Sequence, residues 1–337
     1  MNVFDEIYDI RLARADETEK LMHYVAEDWR AGHIMSVNKE LFLHEFLTSD
    51  EGMLNVIIAL RKDNAQIDGM LGFLPASKES RPDLWGSMWK VRSGSRMFLG
   101  NELMQRLLAI VPHRNFTGIG MDRSTTGQLV KRTLGDMVGR LKHWYILNED
   151  AEYRIARICE KKKAGFKDTD TEFSEAFSIA DLDRCFDYEA LKGTEPYKDR
   201  WYIGRRYFEY PIHRYRVFLV GGDKADALLV TRTVEYDGSR VLRIMDFLGN
   251  RSRIGEAGRF LRSIISKEGC EYVDFYENGF AEEDVKSAGF VERREGDENI
   301  IPNYFAPFEQ SNIEIYYHAQ EPGYFCCKAD GDQDRPN

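Results

Sequence analysis

The sequence predicts an α+β protein made of two similar halves, each a mixed, mostly antiparallel twisted sheet flanked by helices. Three observations carry this reading. There are two runs of three strand-like segments, an amphipathic helical segment follows each run, and equivalent points are offset by about 160 residues.

The first half opens with helical material from Asp16 (DETEKLMHYVAEDW), with Asp16 as a plausible N-cap. MLNVIIALR (53–61), IDGMLGFLP (67–75) and LWGSMWKVR (84–92) follow as strands, separated by the polar DNAQ and SKESRPD. From Gly100, the residues Leu103, Met104, Leu107, Leu108 and Val111 recur at helical spacing until Pro112 stops the pattern. A short strand FTGIGM (116–121), a helical stretch ending at Leu134-Gly135 and a last strand RLKHWYIL (140–147) complete the unit.

The second half repeats the order. Helical material starts at Asp181 (DLDRCFDYEAL), and RYRVFLV (214–220), DALLVTRTVEY (226–236) and VLRIMDFLG (241–249) are its strands. Ala257, Phe260, Leu261, Ile264 and Ile265 stripe the next helix, EYVDFY (271–276) is a strand, and AEEDVKSAGF (281–290) is a helix closed by Gly289. The expected division is therefore 1–150 for the first domain, 151–178 for a connection, 179–325 for the second domain and 326–337 for a C-terminal tail.

Composition narrows the function classes. The 337 residues carry 47 Lys plus Arg against 57 Asp plus Glu, a net charge of -10, so the basic excess of a nucleic-acid binder is missing. No segment reaches the ~18 apolar residues needed to cross a bilayer, and the start lacks the apolar run of a signal peptide, so no membrane insertion and a cytoplasmic location are expected. The 5 cysteines show neither a disulfide framework nor zinc-ligand spacing, and no metal site is expected. The acidic tail Asp330-Gly331-Asp332-Gln333-Asp334-Arg335 lacks the glycine and the closing glutamate of a calcium loop, so docking onto the body or a solvated end is favoured.

The order of elements resembles the GNAT acyltransferase superfamily, present twice in tandem over nearly the whole chain. The resemblance implies acetyl-CoA as co-substrate, held in each copy where the fourth strand splays from the fifth. Pantetheine would lie along the fourth strand and the pyrophosphate on the loop entering the next helix, where unpaired N–H groups face an anion. The family pattern there is Gln or Arg, two residues, Gly, any residue, Gly or Ala. Ser252-Arg253-Ile254-Gly255-Glu256-Ala257 departs only at its first position, whereas Ser95-Arg96-Met97-Phe98-Leu99-Gly100 keeps only the last small residue. The implied cofactor contacts are Trp89, Lys90, Val91, Arg96, Leu99, Gly100 and Asn101 in the first half, and Arg251, Arg253, Gly255 and Ala257 in the second.

The segments WRAGHIMSVNKELFLHEF, DLWGSMWKV, RRYFEYPIHRYRVF, IPNYFAPFEQSNIEIYY and the terminal KADGDQDRPN are similar to GNAT-like proteins of bacterial surface-polysaccharide biosynthesis. That similarity implies N-acylation of an amino sugar or a nucleotide-linked amino sugar, with a homodimer left open. The family tyrosine four residues before the closing Gly is replaced by Lys131 and by Val285. Substitutes are sought in His33 as base or sugar contact, Asp83 as a carboxylate beside the fourth strand, and Tyr145 as thiolate acid. Trp85 and Asp246 are candidate substrate contacts, each with a competing core role. Two other readings stay open: a Fem-like aminoacyltransferase, disfavoured by the acidic charge, and a pair of copies that binds a sugar nucleotide or a partner without turnover.

Overall fold

In the computed structural model, which describes residues 2–49, 51–222 and 225–336, the strand-like segments build two sheets. Their residue ranges are β1 Tyr8–Arg14, β2 Met53–Arg61, β3 Ile67–Pro75, β4 Leu84–Val91, β5 Phe116–Ile119, β6 Met137–Arg140, β7 Lys142–Leu147 and β8 Phe173–Ala176. They continue with β9 Arg216–Val220, β10 Ala227–Tyr236, β11 Ser239–Gly249, β12 Cys270–Asn278, β13 Val291–Arg293, β14 Tyr304–Phe305, β15 Phe308–Glu309, β16 Tyr316–Ala319 and β17 Cys326–Cys327. The first sheet runs β1-β2-β3-β4-β5-β16-β6 and the second β13-β7-β12-β11-β10-β9-β8, with β17 added to β12. In both, consecutive strands pair antiparallel except β4 with β5 and β11 with β12, which are parallel and joined by a crossover helix.

The sequence expectation fails informatively at 140–147. The expected last strand of the first half breaks at Leu141: β6 stays in the first sheet, while β7 crosses and pairs with β12 and β13 of the second. In return β16, from near the C-terminus, enters the first sheet between β5 and β6, pairing Tyr317 with Ile119 and His318 with Val138. The halves have exchanged one strand each. Divisions at 150 and 325 therefore do not follow the hydrogen bonding. Short local patterns cannot reveal this, because β7 is as apolar and strand-like as a home strand would be.

Burial explains why the exchange persists. Trp85, Ile119 and Tyr317 of the first sheet share one core cluster with Tyr207, Val217, Leu228, Met245 and Tyr276 of the second half. Separating the halves would expose this apolar surface, at roughly 25 cal/mol per Å².

The tail is a buried strap, not a solvated end. Ala329 is 0% exposed, and its N–H donates to the Met245 carbonyl at 2.8 Å. Each tail carboxylate has a cation: Asp330 lies 2.5 Å from Lys198, Asp332 2.6 Å from Arg335, and Asp334 pairs with Arg232. Ion pairing thus consumes the acids that superficially resemble a calcium loop. Among the described residues, no helix is long and apolar enough to cross a membrane.

Candidate functional site

Parallel strands β4 and β5 pair only at Leu84 with Phe116 and Trp85 with Thr117. Beyond Trp85 they diverge. A β-bulge at Met88, whose φ is +53°, turns the backbone of β4 at that point. The gap opens into a cavity of about 280 Å³ lined by Gly86, Ser87, Met88 and Trp89 of β4, and by Phe116, Gly118 and Ile119 of β5. A strand edge without a partner leaves N–H and C=O groups facing the gap, ready for an extended chain that carries amides.

The corresponding gap of the second half is filled. Strands β11 and β12 pair from Arg240 with Cys270 to Ile244 with Phe275 and then diverge. There the tail inserts: Cys326 and Cys327 pair with Asn278 and Glu277 of β12, while Ala329 bonds Met245 of β11. The chain's own backbone takes the place that a ligand would need. Burial pushes both thiols well above their usual range, so they remain protonated packing groups.

The loops before the two crossover helices differ in the same sense. In the first half, Arg96, Met97 and Phe98 are exposed, and Phe98 keeps a φ of +68° at the position where the pattern has glycine. Helix Leu99–Ile110 starts here with its first amides free of any side-chain cap. In the second half, Arg253 is held by Asp226 at 3.0 Å and Glu256 at 2.7 Å. A Cβ on Gly255 would meet Ser287 Oγ at 2.4 Å, and Ala257 is fully buried. Arg251 donates to the Gly279 carbonyl at 3.0 Å and stacks on Phe325, just before the tail. The better sequence match therefore belongs to the packed loop, where small residues serve close packing.

His33 and Trp89 lie on the wall of the open cleft. His33 also caps the helix Ile34–Val37, its Nδ1 accepting from Met35 N–H at 3.1 Å, which leaves the hydrogen on Nε2. Burial first, then Arg335 and Arg30, pull its pKa down to about 4. Lys90 and Val91 lie outside the cavity wall: the Lys90 carbonyl accepts from Tyr24 OH at 3.2 Å and Val91 packs in the core. Leu99 is core, and Asn101 accepts from Thr133 Oγ1 at 3.1 Å beside Gly100 in the first turn of the helix.

Four candidates lie outside the wall of this cleft. Asp83 is 1% exposed and holds Arg114, Asn115 and the Tyr197 amide, so it is a structural ion pair. Tyr145 lies in the second sheet, its hydroxyl accepting from Asn299 at 3.1 Å, far from the open gap in the fold. Asp246 is 0% exposed, 2.6 Å from Lys198 and bonded by Tyr207, so it locks the tail. Trp85 is 0% exposed and packs against Tyr202, away from the cleft wall.

The strand exchange supplies what sequence reasoning missed. His318 of β16 lines the cleft, and its Nδ1 lies 2.7 Å from buried Asp136. A carboxylate only accepts, so Nδ1 carries a hydrogen, and in the neutral ring the lone pair is on Nε2. Gly118 makes room for it, since a Cβ there would stand 2.8 Å from His318 Nε2. The tail adds Asp332, Gln333 and Arg335 to the wall, anchored by Ser87 Oγ to Asp332 at 2.8 Å and Gln333 to the Ile119 carbonyl at 3.1 Å. His318 and Asp136 are 182 positions apart and follow no motif; only the β6–β16 pairing brings them together.

Burial also holds His44 and His143 down to about 4, as it does His33. All three are neutral in the fold, whereas an unfolded imidazole protonates below about 6.5. The unfolded chain then binds more protons than the native one between pH 6.5 and 4, so stability falls as pH drops through that window. Urea unfolding at pH 7, 5.5 and 4 should show a falling midpoint, with the fall reduced in His143→Gln; a flat profile would contradict the neutral assignment.

Two solved structures share this fold. A GCN5-related N-acetyltransferase from Anabaena variabilis ATCC 29413 superposes with a TM-score of 0.54 at 11% identity, over 92% of this chain and 72% of that one. A conserved protein of unknown function from Enterococcus faecalis V583, described as "Probable N-Acyltransferase", gives 0.56 at 10% identity, over 93% of this chain and 71% of the other. These likenesses establish the GNAT fold over most of the chain. No protein-family model and no curated protein matches the sequence.

Proposed function

We propose that this chain is an acyl-CoA-dependent N-acyltransferase working from the cleft of its first half, with acetyl-CoA as donor and an amino sugar or nucleotide-linked amino sugar as acceptor. The observation that carries the reading is the contrast between the two gaps: one edge of β4 is open, and its counterpart on β11 is covered by the tail. The second half then acts as scaffold. It gives the first half a strand, a histidine and the cleft-lining tail.

The residues present fit the donor. The open edge of β4 suits the two amides of pantetheine, and the capless helix start with exposed Arg96 suits a diphosphate. The acceptor amine must lose a proton as its nitrogen bonds the acyl carbon, and the departing sulfur must gain one as the C–S bond breaks. His318 takes the amine proton on Nε2, while Asp136 fixes the ring and stabilises the imidazolium. His33, with its hydrogen on Nε2, lines the same cleft and offers a hydrogen bond to the developing oxyanion, and the proton held by His318 passes on to the departing sulfur, which closes the proton balance. Trp29, 41% exposed at the wall, offers a sugar ring an aromatic face.

Calorimetric titration with acetyl-CoA tests the donor. One site per chain is expected, weakened about tenfold or more by Arg96→Glu, which puts a like charge beside the diphosphate, and unaffected by Arg251→Glu. No binding at millimolar acetyl-CoA would overturn the reading. Equal losses in both variants would overturn the choice of half.

A further inference from the structure

Beside the open cleft, and sharing Tyr304, Gln333 and Arg335 with its wall, lies a second cavity of about 80 Å³. Its lining is cationic: Arg232, Arg243, Lys328 and Arg335, with His213 and Asp334. Most of these charges are already paired. Arg232 serves Asp334, Arg243 holds Asp274 at 2.9 Å, and Arg335 holds Glu45 and Asp332. Lys328 is the exception.

Only 3% of Lys328 is exposed, yet among the described residues its ammonium meets no carboxylate, only the rings of Tyr276 at 5.8 Å and Tyr304 at 5.4 Å. Beside it, and again among the described residues, Asn303 is 4% exposed with both side-chain amide atoms unpartnered, and Arg232 Nε is buried without a partner. Buried polar groups of this kind each cost about 1–3 kcal/mol when unsatisfied. Three of them on one small cavity is the signature of a missing polar ligand. Burial, reinforced by Arg243, pulls the Lys328 ammonium down to about 7, as expected for a cation waiting for its counter-charge.

We propose that this cavity binds an oxyanion, a phosphoryl or carboxylate group, carried by the acceptor whose amine lies in the adjoining cleft. Lys328 supplies the charge, and the Asn303 amide and Arg232 Nε–H donate hydrogen bonds. The inference rests on the acyl-transfer reading of the cleft and narrows its acceptor to an anionic amine, in contrast to a neutral amino sugar. The loop at Arg96, which would take the donor's diphosphate, contributes nothing to either cavity wall.

The test is calorimetry on the full chain with inorganic pyrophosphate and, separately, malonate, each in the presence of saturating acetyl-CoA. Binding of one or both is expected, weakened at least tenfold by Lys328→Met and by Asn303→Leu. The anion that binds names the group. Asn303→Leu removes two unsatisfied atoms and Lys328→Met a buried cation that meets no carboxylate among the described residues, so their thermal midpoints without ligand should not fall; if Lys328→Met does not fold, Asn303→Leu decides. Binding of neither anion, or binding that both variants retain, overturns the proposal while leaving acetyl-CoA binding and the acyl-transfer reading intact. Failure of acetyl-CoA to bind the wild-type chain would instead overturn the reading beneath it, and this assignment of the anion to an acceptor falls with it.

Discussion

Replacing His318 by glutamine is expected to lower acyl-transfer turnover by about 10²–10⁴-fold, the usual contribution of a positioned general base, while acetyl-CoA affinity stays unchanged. Glutamine can still bond Asp136 from within the sheet but has no basic lone pair of comparable strength. Asp136→Asn should act through the same atom. An amide at that position can donate to Nδ1, which favours the tautomer with its hydrogen on Nε2 and removes the base. The loss should therefore appear in kcat and not in the KM for acetyl-CoA. Gly118→Ala probes position alone, because the added carbon would stand 2.8 Å from His318 Nε2. Turnover retained in His318→Gln would show that the proton leaves by another route, with the donor site still in place.

Residues 1–150 and 151–337, made separately, should each fail to give a cooperative fold, and their co-expression should restore one. The first fragment lacks β16, so β5 and β6 lose the strand between them, and it carries β7 with no sheet to join. It also lacks the tail residues that anchor Ser87 and Ile119. The second fragment lacks β7, so β12 and β13 lose their common partner. Each would present an unpaired strand edge and half of the shared core, conditions that favour aggregation. Dispersed amide resonances from fragment 1–150 alone would contradict the exchanged arrangement.

The fold class was readable because it rests on local patterns. The runs 53–61, 67–75 and 84–92 became β2, β3 and β4, and the runs after 214 became β9, β10 and β11. Pairing across long sequence distance was not readable. Nothing in KHWYIL says which sheet will take it, and nothing in YYHA says that His318 will meet Asp136. The two phosphate-loop candidates differ in the fold for a physical reason. Gly255 and Ala257 are small so that the helix Glu282–Ser287 and its neighbours can pack closely, whereas the degenerate loop at Arg96 remains exposed. Asp83 and Asp246 read in the sequence as carboxylates near strands, and in the fold both are buried and paired with cations, Arg114 and Lys198. His33, a base or sugar contact in the sequence reading, caps the helix Ile34–Val37 and lines the cleft.

The most direct measurement is a crystal structure of the full chain grown with acetyl-CoA. Density for one molecule is predicted, its pantetheine arm between β4 and β5 along Ser87 to Trp89 and its diphosphate at the loop before Leu99, with the tail still seated between β11 and β12. Density between β11 and β12 with the tail displaced, or an empty first cleft at millimolar acetyl-CoA, would contradict the account.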